Sequence, residues 1–223
     1  MITVHHLNNS RSQRVLWLLE ELGLQYEVKR YQRDRKTMLA PPELLAVHPL
    51  GKSPVISDGA LVLAESGAIL EYLVARYGPG RLAPQPGTPA HMRYIYWMHF
   101  AEGSAMPPLL MKLVFDRIER APMPFFAKPI ARSIAGKVKA MMVEPNIKRH
   151  LDFMENELAQ GPWFTGEQFT AADIQMSFPL EAAATRGGLD AGRPRLTQFL
   201  SRIHARPAYL RALETGGPYE LMR

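Results

Sequence analysis

Residues Val47 to Tyr77, VHPLGKSPVISDGALVLAESGAILEYLVARY, restrict the possible folds more than any other stretch of the chain. Pro54 opens a short apolar run, Val55-Ile56, which Asp58-Gly59 stops, and a second run goes from Ala60 to Ala64. Asp-Gly between two apolar runs predicts a two-residue hairpin. Glu65-Ser66 then steps onto a helix with the apolar stripe Ile69, Leu70, Leu73, Val74 and Tyr77. Ser66 is placed to be its N-cap and Gly78 its C′ glycine. Upstream, ITVHHL (2–7) reads as a strand, Ser12 to Leu22 as a helix closed by Gly23, and Tyr26-Glu27-Val28 as a second strand. A βαβ opening followed by a hairpin and a helix is a small α/β domain. The span Arg30 to Pro42 reads as a polar surface loop, with a short helix after Pro41-Pro42.

Two binding devices converge in the central stretch. A cis Ser53–Pro54 bond would leave the backbone edge of Ser53 facing solvent, where an extended peptide can pair with it. The helix start at Ser66 presents free N–H groups and a positive dipole end to a carboxylate. Glu65 beside it suits an ammonium. The bland alternative is a hairpin and helix that merely pack.

The chain has no cysteine. That excludes disulfide frameworks, thiolate zinc sites and redox chemistry on a thiol of its own. His5 and His6 are neighbours on a strand, so they point to opposite faces and do not share a metal; no HExxH pattern supports one either. We expect no metal, and read both as structural. No apolar run approaches the ~20 residues of a membrane helix, and the N-terminal residues lack a charged start and apolar core, so the expected location is cytoplasmic. The net charge is +6, and residues 112–150 carry nine Lys or Arg against three acids, the whole excess. This segment has no motif for nucleic acid, which we do not expect as a partner.

Beyond a proline-marked linker (Pro79, Pro84, Pro86, Pro89) the periodicity is helical to the end. Thr88-Pro89 supplies an N-cap and N1 proline. Helices are expected over His91–Ala105, ending near Pro107-Pro108, and over Leu109–Ile118. Prolines 122, 124 and 129 precede an amphipathic stretch with Phe126, Ile130, Ile134 and Val138 on one side and Lys128, Arg132 and Lys139 on the other. It reads as the solvated face of a bundle helix rather than a membrane-surface helix. Asn146–Leu158 continues helical. Thr170 and Asp173 form a capping-box-like start for the next helix and are assigned to folding. The last helix covers Leu196 to Ile203 and beyond, with a short tail after Arg206-Pro207.

Four pieces, NSRSQRVLWLLEELGLQYE, HPLGKSPVI, AESGAILEYL and FTGEQFTAADI, resemble the glutathione S-transferase family, in its bacterial and fungal serine-type branch. The resemblance covers nearly the whole chain. It implies an α/β thioredoxin-like N-terminal domain with a four-stranded mixed sheet (1–80), a linker (81–88) and an all-α helical bundle domain (89–223). It also implies a homodimer, and glutathione as co-substrate without a metal. The family keeps its thiol-activating group at the turn Asn9-Ser10-Arg11. A thiol with pKa near ~8.5 is mostly protonated at neutral pH, and a hydroxyl donor at a helix N-terminus favours the thiolate. Ser10 is the preferred donor and Asn9 the rival; Arg11 or Arg14 would add positive potential. No tyrosine precedes Tyr26, so a tyrosine-type site is excluded at the first strand's end. By the same resemblance, Lys52 or His48 would meet the glycyl carboxylate, and Ser53, before Pro54, would pair by main chain with the cysteinyl unit. Glu65 and Ser66 would hold the other end of the peptide. Met106, Leu109, Leu110, Phe115 and Phe126 would wall a pocket for a hydrophobic electrophile. The implied activity is thiolate attack on an electrophilic carbon, or on a hydroperoxide oxygen as a glutathione peroxidase. The alternative from another class is a non-catalytic ligand carrier or regulatory binding protein of the same fold.

Overall fold

The computed structural model describes residues 1–34, 37, 39–219 and 221. Strand β1 (Ile2–Leu7), helix α1 (Ser12–Leu22) and strand β2 (Tyr26–Tyr31) form the opening unit, with β1 and β2 parallel, Ile2 opposite Tyr26. Parallel pairing needs a crossover, which α1 supplies. After the short α2 (Pro42–Val47), β3 (Val55–Asp58) returns antiparallel to β1, and β4 (Leu61–Ala64) pairs antiparallel with β3. The sheet order is β2-β1-β3-β4, the expected four-stranded mixed sheet, and α3 (Ser66–Tyr77) follows. His5 and His6 diverge as the strand period requires: His5 meets the Tyr31 hydroxyl and Ser57 Oγ, and His6 meets Ser12 Oγ.

The remainder is helical. α4 (Pro89–Phe100) runs through a π-helical turn, Ala101–Ala105, straight into α5 (Met106–Arg120). α6 (Ala127–Val138) passes through a second π turn, Lys139–Val143, into α7 (Glu144–Glu157). α8 (Ala171–Ala182) ends in a third, Ala183–Gly187, before α9 (Pro194–His204) and α10 (Pro207–Gly216). One apolar core joins α1 to this bundle: Trp17, Leu18, Ile69, Trp97, Ile174, Phe199 and Tyr209 all belong to it. Trp17 meets the Tyr209 ring edge-on at 5.0 Å and donates to Glu21 Oε1. α8 is buried along its full length, which explains an apolar pattern on every side of that helix. Thr170 and Asp173 close a capping box, and Asp173 Oδ1 also accepts from Phe164 N. Burial pushes the Asp173 carboxyl up to about 7.

Several local expectations are corrected. Asp58 stays in β3, opposite Leu61, so the two-residue turn is Gly59-Ala60, with Gly59 at φ +60°. Ser66 is the first residue of α3 rather than its N-cap, because its hydroxyl is taken by Arg14; the N-cap is Glu65. Gly78 follows α3 with φ −122°, outside the left-handed region. β2 extends to Tyr31, past the expected loop start at Arg30. Pro107-Pro108 does not end a helix: the π turn shifts the hydrogen-bond register, and the prolines fall in the first turn of α5, where their missing N–H groups cost little. The segment after Arg206 is a further helix, α10, with Pro207 at its N1 position. Phe126, Ile130 and Ile134 face solvent, since Ala135, and not the apolar stripe, is the side chain α6 buries.

Candidate functional site

Around the turn between β1 and α1, His6, Ser10, Ser12, Gln13 and Arg14 are all buried. Asn9 takes a left-handed conformation, φ 51°, which lets the chain leave β1 and enter α1 within a few residues. Ser10 follows, only 4% exposed. Its Oγ lies 2.7 Å from Ser12 Oγ and 3.4 Å from Ser53 Oγ, tying the α1 start to the segment before Pro54. The Ser53–Pro54 peptide is cis. Ser53 Oγ donates to the carbonyl of His5 at 2.9 Å and accepts from Leu7 N, which locks its side chain onto β1.

The hydroxyl chain has a direction. Burial lowers His6 to about 4, so the ring is neutral at pH 7. The ring also donates to the carbonyl of Gly216, which leaves Nδ1 as the acceptor. Ser12 Oγ, 2.9 Å away, therefore donates to Nδ1, and Ser10 donates to Ser12. The proton of Ser10 points inward until a stronger acceptor arrives. A thiolate is one, because hydrogen bonds to ionised acceptors are roughly twice as strong as neutral ones.

The second corner begins at Glu65, exposed and at φ 73°, an uncommon conformation for a residue with a Cβ. It turns β4 sharply into α3, aiming the first N–H groups of that helix outward. Beneath it lies Arg14, 1% exposed in its side chain, donating to Ser66 Oγ (2.9 Å), Gln175 O (2.8 Å) and Glu102 Oε1 (2.5 Å). Glu102 also accepts from Arg11 Nε at 2.9 Å and 3.1 Å. Burial alone would raise the Glu102 carboxyl, but the two arginines outweigh it and hold it below its ordinary value. Burial lowers the Arg14 guanidinium, with Glu102 opposing. Glu102 sits in the π turn after α4, a type of insertion that re-aims side chains at functional sites. One carboxylate from the helical part thus joins α1 to the start of α3.

Lys52 is exposed beside Ser53; His48 caps α2 and accepts from Leu50 N through Nδ1. Pro54 is buried. The structure brings Ser10, Ser53 and Pro54 together, and Ser66 joins them through Arg14. The five expected electrophile-wall residues differ in their exposure. Met106 and Leu109 are packed in the core at 4% and 3% exposure, Phe115 is half-buried against it, and Leu110 and Phe126 project into solvent. The reason is register: the π turn rotates α5 so that 106 and 109 face inward and 110 outward. Glu102 and Ser12 were missed; the only sequence signal was their spacing from Arg14 and Ser10, and it is ambiguous without knowing which helices touch. A cavity of about 830 Å³ lies elsewhere, between α3, the Pro79–Pro86 segment and α4, and none of these residues lines it. Among the described residues no cluster could hold a metal ion, and no helix is long and apolar enough to cross a membrane.

Comparison with known proteins places this geometry. Residues 1–75 match the family model for the glutathione S-transferase N-terminal domain, and residues 115–202 the model for its C-terminal domain. The chain is 43% identical over 183 residues to glutathione S-transferase 3 of Schizosaccharomyces pombe, covering 82% of this chain and 74% of the relative. It is 32% identical over 222 residues to glutathione S-transferase 1 of Saccharomyces cerevisiae, covering 96% and 94%. Among solved structures, a glutathione S-transferase from Actinobacillus pleuropneumoniae superposes with a TM-score of 0.78 at 36% identity, covering 100% of this chain and 96% of that one. A sphingomonad glutathione S-transferase complexed with glutathione superposes with a TM-score of 0.73 at 25% identity, covering 96% and 98%.

Proposed function

The chain belongs to the glutathione S-transferase family, and on that premise we propose that Ser10 is the group that stabilises the glutathione thiolate. The chain is a glutathione transferase with glutathione as its co-substrate. The observation that carries the assignment is the placement of the Ser10 hydroxyl, 3.4 Å from Ser53 Oγ at the mouth of α1. Peptide pairing along the Ser53 backbone delivers the cysteinyl sulfur to that hydroxyl. Lys52 and His48 meet the glycyl carboxylate, and Glu65 with the α3 N-terminus grips the γ-glutamyl end, its ammonium on Glu65 and its carboxylate on the N–H groups.

In the reaction, Ser10 turns its proton from Ser12 to the sulfur and remains a donor throughout. The thiol proton leaves to solvent, the thiolate forms a C–S bond, and the electrophile's leaving group departs with its electron pair. Attack on a hydroperoxide oxygen uses the same thiolate: the alcohol leaves, and a second glutathione resolves the sulfenic acid to disulfide and water. Asn9 is the rival donor. The test is turnover of an aryl halide and of cumene hydroperoxide by the wild-type protein and by Ser10→Ala and Asn9→Ala. Loss in Ser10→Ala with Asn9→Ala intact supports the assignment; the reverse pattern moves the role to Asn9. A non-catalytic carrier would bind glutathione and turn over neither substrate.

The homodimer belongs to the same proposal. Leu61 and Val62 on edge strand β4, and Met92 and Tyr96 on α4, are exposed apolar groups suited to a second copy. Sedimentation at micromolar concentration tests it; a monomer would refute it. A cytoplasmic location is proposed likewise, and fractionation of cells tests it.

A further inference from the structure

We propose that the pocket for the second substrate is built for an anionic electrophile, one carrying a carboxylate or similar group alongside its reactive carbon. The proposal rests on the reading of the Ser10 turn as the thiol site. A cavity of about 590 Å³ opens between the C-terminal half of α5 and the π turn after α8. Its charged lining is Lys112, Asp116, Arg117, Arg120 and Arg186. The single acid in that lining is already committed, since Asp116 accepts from Lys112 at 3.2 Å and from Lys139 at 2.7 Å. Among the described residues, no carboxylate pairs with Arg117, Arg120 or Arg186. Arg186 is half-buried, and its Nε is buried without a hydrogen-bond partner.

The same positive field reaches the thiol site. Arg33 follows β2, and its backbone N–H donates to Asn8 Oδ1 at 3.0 Å, which sets it beside the Asn8–Ser10 turn. Arg11 occupies the other side of that turn, over the Phe178 ring at 4.9 Å. Burial lowers both Arg33 and Arg186 from their ordinary value; at Arg186 Tyr219 opposes it, and at both residues Arg11 and Arg117 add to it. Three guanidiniums, those of Arg117, Arg120 and Arg186, share one partly enclosed space and repel, and Arg186 has also lost hydration; Arg11, at the thiol turn, is held by Glu102. An occupant with a negative group relieves that repulsion and satisfies the orphaned Nε. A planar guanidinium fork matches a carboxylate in two-point contact. Leu113 and Ala121 on the same wall suit the apolar body of an aryl electrophile. Met106, Leu109, Leu110, Phe115 and Phe126 do not line this cavity, so its charged side chains set its chemistry.

The test compares two electrophiles with the same reacting centre, 4-chloro-3-nitrobenzoate and its methyl ester. In both, the glutathione sulfur bonds to the ring carbon and chloride leaves with the C–Cl pair. Calorimetry of glutathione itself and of the two S-aryl conjugates provides readouts that do not depend on turnover. The expected result is tighter binding of the carboxylate conjugate, with a preference that declines as salt is raised. Arg117→Gln, at an exposed position, and Arg186→Gln should each lower the carboxylate-to-ester ratio roughly tenfold, as the loss of one charge-assisted contact implies. Arg117→Lys should retain part of the ratio. Equal or better binding of the ester by the wild-type protein, with glutathione still bound, would overturn the anion proposal alone. A ratio that survives both glutamine variants would overturn it too, as would a fall in glutathione affinity matching that of the conjugate. Failure of the wild-type protein to bind glutathione would instead remove the underlying thiol-site reading.

Discussion

Replacing Ser10 by alanine removes one hydroxyl donor from a site where the incoming acceptor is an anion. Ser10 is 4% exposed, so water does not take over its role. A hydrogen bond to a charged acceptor contributes about 1.5–3 kcal/mol, which corresponds to a rise of about one to two in the bound thiol's pKa. Below that pKa the thiolate fraction falls by the same factor of about ten to one hundred. The more basic thiolate is intrinsically more reactive, with a Brønsted slope of about 0.4–0.5, which offsets nearly half of the loss. The net expectation for Ser10→Ala is a roughly threefold to tenfold fall in turnover near neutral pH, with little change in glutathione affinity. The fall should shrink as pH is raised past the new pKa. The assay is an ultraviolet titration of the thiolate in the binary complex, run beside the pH–rate profile. An unmoved thiol pKa in Ser10→Ala, together with a raised one in Asn9→Ala, would refute the reasoning.

Ser12→Ala removes the inward acceptor that competes for the Ser10 proton, so the bound thiol should ionise at lower pH while the protein loses about 1–3 kcal/mol for the stranded His6 Nδ1; a raised thiol pKa would mean that the chain runs the other way. Glu102→Gln leaves the buried Arg14 without its counter-charge and should destabilise the protein by about 3 kcal/mol, read as a lower urea midpoint; an unchanged midpoint would show that Ser66 and Gln175 suffice. Glu65→Ala should chiefly raise the glutathione KM, with kcat nearly unchanged, and an unaltered affinity would undo the reading of that corner. His6 is held neutral down to about 4, below the ~6.5 of an unfolded histidine; its contribution is therefore present above about 6.5 and is lost as pH falls toward 4. Urea titrations of wild type and His6→Gln across that window should show the wild-type advantage shrinking with acid, and a constant difference would refute it.

Much of the N-terminal half is legible from local chemistry. The strands 2–7 and 55–64, the helix 12–22 and the cis-proline corner each follow from alternation, turn residues and caps that act over a few positions. The opposed faces of His5 and His6 follow from the strand period alone. The local signals failed where a longer-range partner changed the outcome. Ser66 looks like a cap, and it would be one in an isolated helix; Arg14, 52 residues away in sequence, takes its hydroxyl instead. Pro107-Pro108 looks like a break, and the π turn before it makes room for both prolines inside a continuous helix.

The site divides in the same way. Resemblance to the family pointed to Ser10 and Asn9, and short-range pattern marked Ser53, Pro54, Glu65 and Ser66, because a proline and a helix start are encoded within a few residues of one another. It could not assign the wall of the second pocket. Which side of α5 faces the thiol depends on a register shift of a fraction of a turn, and hydrophobic residues at helical spacing carry no mark of whether they meet core, solvent or ligand. Nor could it place Glu102 on Arg11 and Arg14, or gather Arg117 and Arg186 around one space. Those meetings join residues roughly 70 to 90 positions apart, and only the packing of the helices decides them.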